Sequence, residues 1–495
     1  MSTQRADAPS NGRGSARVVV VGAGISGLAA ARAAVETARD AGIPLDVVVL
    51  ERDSEVGGKA KTVRRDGWLV ESGPTGYLDA ADVAPLMRHL MQVAAVEASV
   101  VQASKEAALR YIARKGRARR VFADPFRMAW SGLMSPLGIA RIAAEPFIAA
   151  KRDDDDESVF NFAARRIGRE AAERLIAPMM LGVFAGDARK LSLPAALPRL
   201  RELERDHGSL VRGMLARRRK KPDESGSASG PAGTLTSLRD GLQSLARGLA
   251  RYGGFRVIEN ATVEGIARSG PRGWRVQVAG ASEAVEADAL VLAGEAWSTA
   301  ALLREHAPRA AETLSAINCP PVAVVALGYR GTRSDVHIPR GFGVLVPRGE
   351  SIRMLGCLWD SQIFDGRAPA NSVLVRAMLG GAVDPEAGAL SDADAVACVR
   401  EDMGRLLGVD AIPCFRHVVR WPAAIPQYEL GHEKRVALVE RETALLPSLF
   451  VAGNALHGVA FAKAATSGWT RGSEAARVAL AGAAADVSTP TGASA

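Results

Sequence analysis

Between a β-branched run at residues 17–21 and an Ala-rich helical stretch at residues 23–40 stands the series Gly22, Ala23, Gly24, Ile25, Ser26, Gly27. This G-x-G-x-x-G set constrains the chain more than any other feature. The first glycine allows a tight turn out of a strand, the second lets backbone approach a pyrophosphate, and the third lets helix and strand pack closely. The helix then presents free N–H groups and the positive end of its dipole to phosphate. A second buried-type strand, DVVVLE, ends at Glu51, which can accept hydrogen bonds from a ribose diol. Strand, glycine turn, helix, strand is a Rossmann-type unit. The chain's 495 residues exceed one ordinary core, so two or three packed units are expected.

The residues after Glu51 separate the dinucleotides. Gly57, Gly58, Lys59, Ala60, Lys61 and Thr62 come closely behind it. Two glycines let this loop run against a pyrophosphate, and a basic residue adds charge there. The pattern resembles the GG motif of the FAD-dependent amine oxidases, desaturases and porphyrinogen oxidases. Near the other end, Leu449 to Asn454 (LFVAGN) resembles that superfamily's second FAD strand, through Gly453 and with Asn454 where an acidic residue is common. Val459, Ala460 and Phe461 would then open a helix beneath the flavin ring, its dipole stabilising an anionic reduced flavin.

Several blocks narrow the branch. Gly182 to Asp187 (GVFAGD) with Leu191-Ser192, and Leu203 to Ser209 (LERDHGS), resemble consecutive blocks of the oxygen-dependent protoporphyrinogen and coproporphyrinogen oxidases. VAVVALGY from Val322, GFGVLVP from Gly341, GCLWDS from Gly356 and RWPAAIPQY from Arg420 are similar to later blocks, in order. The resemblance spans about residues 17 to 480. It implies an α/β fold: a discontinuous Rossmann-type FAD-binding domain, a β-rich substrate domain and a helical domain that touches membrane in some members. The expected division is a disordered lead at 1–16, an FAD domain at 17–82, 233–300 and 440–482, and a substrate domain at 83–95 and 301–439. A helical domain at 96–215, a flexible loop at 216–232 and a disordered tail at 483–495 complete it.

The same resemblance implies non-covalent FAD held at Glu51, Arg52, Lys59, the Gly73, Pro74, Thr75, Gly76 turn, Val263 through its backbone, Trp421 and Val459 to Phe461. It also implies that the Gly182 backbone lies near a tetrapyrrole; a helix C-cap is the other reading of that glycine. Some members carry an arginine shortly after the G-P turn. Here that stretch is Gly76, Tyr77, Leu78, Asp79, so substrate carboxylates must be held elsewhere; Arg330, Arg340, Arg348, Arg353 and Arg367 are candidates, with solvated surface the alternative. The expected reaction is oxidation of protoporphyrinogen IX with molecular oxygen as acceptor, and coproporphyrinogen III is the alternative substrate.

Such chemistry asks for positioning more than for acid–base groups, and the chain offers no triad. His207 reads as a packed or capping residue, and Asp153 to Asp156 as a solvated loop. An amine oxidase would use a lysine near the flavin, yet residues 223–432 contain none, and the last cysteine, Cys414, lies far from any C-terminal covalent anchor. A desaturase would need a longer hydrophobic tunnel; a non-catalytic flavin scaffold is the remaining alternative. The four cysteines form no C-x-x-C pair, so neither zinc nor a disulfide framework is expected. Net charge is +9, favouring anionic partners, though no nucleic acid is expected. The N-terminus lacks an apolar signal core, and no run of about 18 apolar residues occurs. A cytoplasmic protein is expected, with Trp130, Met134 and Leu137 among the arginines of residues 127–152 a candidate interface to membrane. The oligomeric state is left open.

Overall fold

The computed structural model describes residues 15–122, 124–220 and 233–488. At its centre, five parallel strands lie in the order Arg256–Ile258, Leu45–Leu50, Ala16–Val21, Ala289–Leu292, Leu449–Val451. Their continuous Val/Leu runs are explained by burial on both faces. Val18, Val20, Val47 and Val49 meet helices on one side; Val19, Val48, Leu290 and Leu292 meet Leu303, Leu314 and Val439 on the other. Helices Ile25–Ala41 and Phe461–Ser488 cross in near contact. A Cβ at Gly468 or Gly472 would sit well inside contact distance of the Ser26 or Ala30 carbonyl, so glycine four residues apart sets how close the two helices lie.

A second sheet of seven strands runs Phe415–Trp421, Val322–Arg330, Ser372–Gly380, Gly356–Leu358, Gly343–Leu345, Arg110–Arg114, Arg117–Arg120. Alternation sorts its residues. Val325, Leu327, Val375, Ala377, Val344 and Cys357 pack toward the helix Asp392–Leu407. Val324, Met378, Leu345 and Val419 are on the opposite face, where Val324, Met378 and Val419 pack with Leu181, Ala185 and Ala424.

Several expectations are corrected. Residues 96–215 are not uniformly helical: Val100–Gln102, Arg110–Arg114 and Arg117–Arg120 are strands. The last two form a hairpin closed by Lys115 and Gly116, both at positive φ (51° and 67°), a two-residue turn whose twist suits its strands. Residues 301–439 are not strands and turns alone. Pro308–Ser315 and His432–Ala444 are helices that pack beneath the parallel sheet, so a boundary at 440 would cut a helix. Asp392–Leu407 is a third, capped by Ser391, whose Oγ accepts from the Asp394 N–H at 3.2 Å. Ser158, with no evident capping role in the sequence, caps Val159–Ile167 by accepting from Asn161 N–H at 3.2 Å. The expected loop at 216–232 begins inside a helix, Leu210–Lys220, and its remainder lies outside the described residues. The last helix runs to Ser488, past the expected tail boundary at 483, and residues 489–495 lie outside the described residues. Of the expected lead, 1–14 lie outside them, and Ala16 already belongs to the first strand.

Candidate flavin site

The glycine turn leaves open space before a helix N-terminus. Gly22 has φ +101°, donates its N–H to the Leu50 carbonyl at 2.7 Å, and a Cβ there would approach the Ala293 oxygen at 3.1 Å. A Cβ on Gly27 would collide with the Gly22 carbonyl. At Gly24, the helix N-cap, nothing lies within 4 Å of where a Cβ would stand, and no side chain caps the helix. Open space therefore faces uncapped N–H groups, with the buried Ser26 hydroxyl unpartnered beside them. Ala23 and Ile25 are buried beneath. Glu51 is 7% exposed; its carboxylate accepts from Ala23 N–H at 2.6 Å and Asp53 N–H at 2.9 Å, and its carbonyl accepts from Ala261 N–H at 2.7 Å. That last bond brings Val263, the first residue of the strand Val263–Ser269, to the end of the parallel sheet.

The GG loop runs alongside. Gly57 N–H donates to the Ala23 carbonyl at 2.9 Å, and Gly58, at φ +56°, would place a Cβ 3.3 Å from Gly24 Cα. Lys59 Nζ pairs with Glu295 at 2.6 Å, where the sequence suggested free charge for the pyrophosphate. Arg52 is held near Asp53 at 3.3 Å and over Trp297. On the opposite wall, Gly453 (φ +123°) donates to Ser467 Oγ at 3.2 Å, and the Asn454 carbonyl accepts from the Tyr428 hydroxyl at 2.5 Å. Val459 and Ala460 lead into the last helix, whose first residue, Phe461, is buried. These observations fit FAD: open space before uncapped N–H groups, an orphaned hydroxyl and a buried carboxylate at the strand end.

The Gly73–Gly76 turn joins this site to the seven-stranded sheet. The Ser72 carbonyl accepts from Trp421 Nε1 at 2.7 Å, and a Cβ on Gly73 or Gly76 would strike the Lys59 or Thr236 carbonyl. Arg376, which sequence reasoning missed, is 1% exposed and donates to the carbonyls of Glu71 (2.7 Å) and Gly73 (2.8 Å), to Thr75 Oγ1 and to Asp360. Glu71 itself is buried beside Arg367 at 3.7 Å; burial pushes its carboxyl upward, against the pull of that guanidinium.

Of the five candidate arginines, Arg367 is buried and occupied with Ser237 and Leu238, while Arg340, Arg348 and Arg353 pair with Glu106, Asp187 and Asp384. Arg330 is exposed at a strand end. Arg348 and Arg353 also line a cavity of about 730 Å³ against Leu181 and Asp402, whose lining includes none of the glycine turn. A further cation on the sheet face that carries Arg376 is outside that set of five. Register puts Arg376, Leu358, Gly343 and Arg110 in one row across four strands, so all share a face. Arg110 lies over the Phe342 ring, and desolvation lowers its pKa. In the next row of that face stand Met378, Gly356, Leu345 and Ile112.

Gly182 is not a C-cap. It lies within Ala177–Phe184, capped by Ala185 at φ +48°, and a Cβ on it would strike Leu345 Cδ2. The LERDHGS block is structural. Glu204 holds Arg165 at 2.6 Å and buried Arg166 at 3.3 Å, Ser209 donates to Glu145 at 2.6 Å, and His207 is exposed. Asp156 is more than solvated loop: it accepts from Ser192 Oγ at 2.8 Å and Gly431 N–H at 2.6 Å.

Beside Tyr428, His432 gives a pH dependence. The rings stack at 3.9 Å, Nε2 lies 3.2 Å from the Leu456 carbonyl, Nδ1 has no partner, and burial pushes the pKa down to about 4. The unfolded chain takes up this proton near 6.5, the folded chain only near 4. Between those values the unfolded state binds more protons, so this contribution is complete above 6.5 and declines as pH falls toward 4, by up to about 3 kcal/mol. Denaturant midpoints measured from pH 7 to 4.5 should fall more steeply for the natural chain than for His432→Gln; equal slopes would remove His432 from the account.

Comparison with known proteins agrees with this architecture. The profile of the flavin-containing amine oxidoreductases matches residues 25–478. The chain is 32% identical to a coproporphyrinogen III oxidase of Propionibacterium freudenreichii, over 92% of this chain and 89% of that one. It is 31% identical to chloroplast protoporphyrinogen oxidase 1 of Spinacia oleracea, over 90% and 81%. A crystal structure from Exiguobacterium superposes with a TM-score of 0.80 at 24% identity, covering 95% of this chain and all of that one. The chain belongs to the flavin-containing amine oxidoreductases, and among them to the porphyrinogen oxidase family. It is an FAD-dependent oxidoreductase.

Proposed function

We propose that the chain oxidises protoporphyrinogen IX to protoporphyrin IX, in the space between the glycine-turn unit and the flavin-facing side of the seven-stranded sheet. The observation that carries this is the apolar face of that sheet, Val324, Met378 and Leu345, with Leu345 against Gly182 and Arg110 in the adjacent row. A flat apolar macrocycle with carboxylates on one edge suits an apolar floor with a guanidinium at its border. The parallel-sheet unit is the FAD-binding part, and Gly22 to Gly27, Glu51, Arg52, Gly58, Lys59, Gly73 to Gly76, Val263, Trp421, Gly453, Asn454 and Val459 to Phe461 are its proposed contacts. Bound FAD would supply a two-electron acceptor that oxygen reoxidises, so that three cycles, each releasing one peroxide, remove the six electrons that separate porphyrinogen from porphyrin. The protein's part is orientation: the glycine turn fixes the cofactor, the apolar floor excludes water, and Arg110 sets which edge of the ring faces inward.

Arg376 is saturated by its own partners; Arg110, which also has partners of its own, would exchange them for a propionate, and one such guanidinium suits two neighbouring propionates better than four spread around the ring. Coproporphyrinogen III remains the second reading, supported by the likeness to the Propionibacterium enzyme. Comparing kcat/KM for the two porphyrinogens decides between them. A ratio above about a hundredfold for coproporphyrinogen, roughly 2.7 kcal/mol of differential transition-state binding, overturns the first reading.

No helix among the described residues is long and apolar enough to cross a membrane. Peripheral contact is nevertheless proposed at Trp130, Leu137 and Phe147, which are 90%, 80% and 85% exposed. Three large apolar side chains entering the headgroup boundary contribute several kcal/mol at roughly 1.5–3 each when fully buried. The protein should cosediment with anionic vesicles, and Trp130→Ser with Leu137→Ser and Phe147→Ser should weaken this at least about tenfold. Unchanged cosedimentation of that triple variant sinks the assignment.

A further inference from the structure

The carbonyls of Glu71, Ser72 and Gly73 are held from outside their own unit. Arg376, some three hundred residues away in Ser372–Gly380, third of the seven strands, uses all five guanidinium N–H groups without reaching solvent. Nε donates to Asp360 Oδ2 at 2.8 Å, and Nη2 reaches Asp360 Oδ1 at 3.4 Å and Thr75 Oγ1. Nη1 donates to the Glu71 and Gly73 carbonyls at 2.7 and 2.8 Å. The intervening carbonyl, Ser72, is taken by Trp421 Nε1 from the strand Phe415–Trp421. Three successive carbonyls of the turn are therefore bound by side chains of the seven-stranded sheet. Asp360, 5% exposed, balances the buried charge. Proline at position 74 has no N–H to give, and the Thr75 oxygen accepts from Arg376, which leaves the hydroxyl proton as a donor to a bound group.

We infer that Arg376 is a positioning residue: it fixes the Gly73–Thr75 turn, and through the Thr75 hydroxyl it aligns the FAD ring with the substrate floor. The inference rests on the proposed placement of the flavin beside this turn. Only a planar fork can serve two carbonyls, a hydroxyl and a carboxylate at once; a lysine has one nitrogen to offer them. Since the pyrophosphate cradle at Gly22 to Gly27 and Glu51 makes no contact with Arg376, loss of the guanidinium should disturb the ring end of the cofactor and spare its affinity.

The test uses full-length holoprotein with Arg376→Met, Arg376→Lys and Thr75→Val. Arg376→Met is expected to retain FAD to within about threefold in Kd, to shift the flavin absorbance bands, and to lower kcat about a hundredfold with KM little changed. Arg376→Lys should recover only part of this, and added guanidinium ion should restore part of the Arg376→Met spectrum and rate. Thr75→Val removes one acceptor without touching the ion pair. It should show the same spectral shift with roughly tenfold lower kcat, which keeps the inference testable should Arg376→Met fail to fold. Unaltered flavin bands in Thr75→Val, or a loss of thermal stability in Arg376→Met with bands and kcat intact, overturn the inference. A natural chain that turns over no porphyrinogen contradicts the proposed function instead, and the flavin bands and the rate of flavin reduction by dithionite then still report on Arg376.

Discussion

Gly24→Asp should leave the protein folded and colourless. The reason is geometric before it is electrostatic. Nothing lies within 4 Å of a Cβ built at Gly24, so the apoprotein accepts the side chain without displacement, and its melting temperature should stay within a few degrees. The added carboxylate, however, stands over the uncapped N–H groups of the helix Ile25–Ala41, in the space a pyrophosphate needs. It both occupies the anion site and repels the anion. Two like charges about 4 Å apart at an effective dielectric near 20 cost about 4 kcal/mol, or about a thousandfold in Kd. Gly27→Val supplies the contrast: its Cβ would collide with the Gly22 carbonyl, so that variant should lose the fold together with the cofactor. Titrating apoprotein with FAD while following flavin fluorescence checks both. A Gly24→Asp protein that binds FAD like the natural chain contradicts the site.

The second large effect is expected at Arg110. If this guanidinium binds a substrate carboxylate, Arg110→Met removes a charge-assisted hydrogen bond worth about 1.5–3 kcal/mol. A bond made equally in the ground and transition states appears in KM and not in kcat, so KM for either porphyrinogen should rise about 10- to 150-fold while kcat holds. Arg110→Lys keeps the charge but not the fork and should fall between. The tetramethyl or dimethyl ester of the same porphyrinogen carries no carboxylate, so on it the natural chain and Arg110→Met should perform alike. That comparison isolates the pairwise interaction from general damage to the strand Arg110–Arg114. Equal KM values for the natural chain and Arg110→Met on the free acid would assign the carboxylates to other groups.

Why Arg110 and Arg376 are illegible in the sequence is physical. The glycine turn, the acidic strand end and the GG loop are local: neighbours in sequence form neighbouring walls, and their spacing is the signal. Arg376 meets Glu71 and Gly73 across roughly three hundred residues, and Arg110 shares a row with it only through the register of four strands. No local spacing records such a pairing. No cation directly follows Gly73-Pro74, where Leu78 stands half exposed, whereas Arg110 comes to the face that carries Arg376 from another strand. Other misses did leave traces. Lys115-Gly116 between short alternating runs is a hairpin turn signal, and Ser391 three residues before Asp394 marks the start of Asp392–Leu407. The alternation Asp392, Ala393, Asp394, Ala395 imitates a strand, and helical spacing becomes visible only with Val396, Val399, Met403 and Leu406. Gly182 lets its helix sit on Leu345, a packing role that the GVFAGD block does not announce.

The central claim, porphyrinogen oxidation on an FAD held by the glycine-turn unit, meets its most direct test without oxygen. Holoprotein mixed anaerobically with protoporphyrinogen IX should bleach its flavin absorbance, each FAD taking two of the six electrons that separate porphyrinogen from porphyrin, and admitting oxygen should restore the flavin colour with release of peroxide while porphyrin fluorescence rises. Flavin that stays oxidised with both protoporphyrinogen and coproporphyrinogen, yet bleaches with a primary amine, would contradict the account.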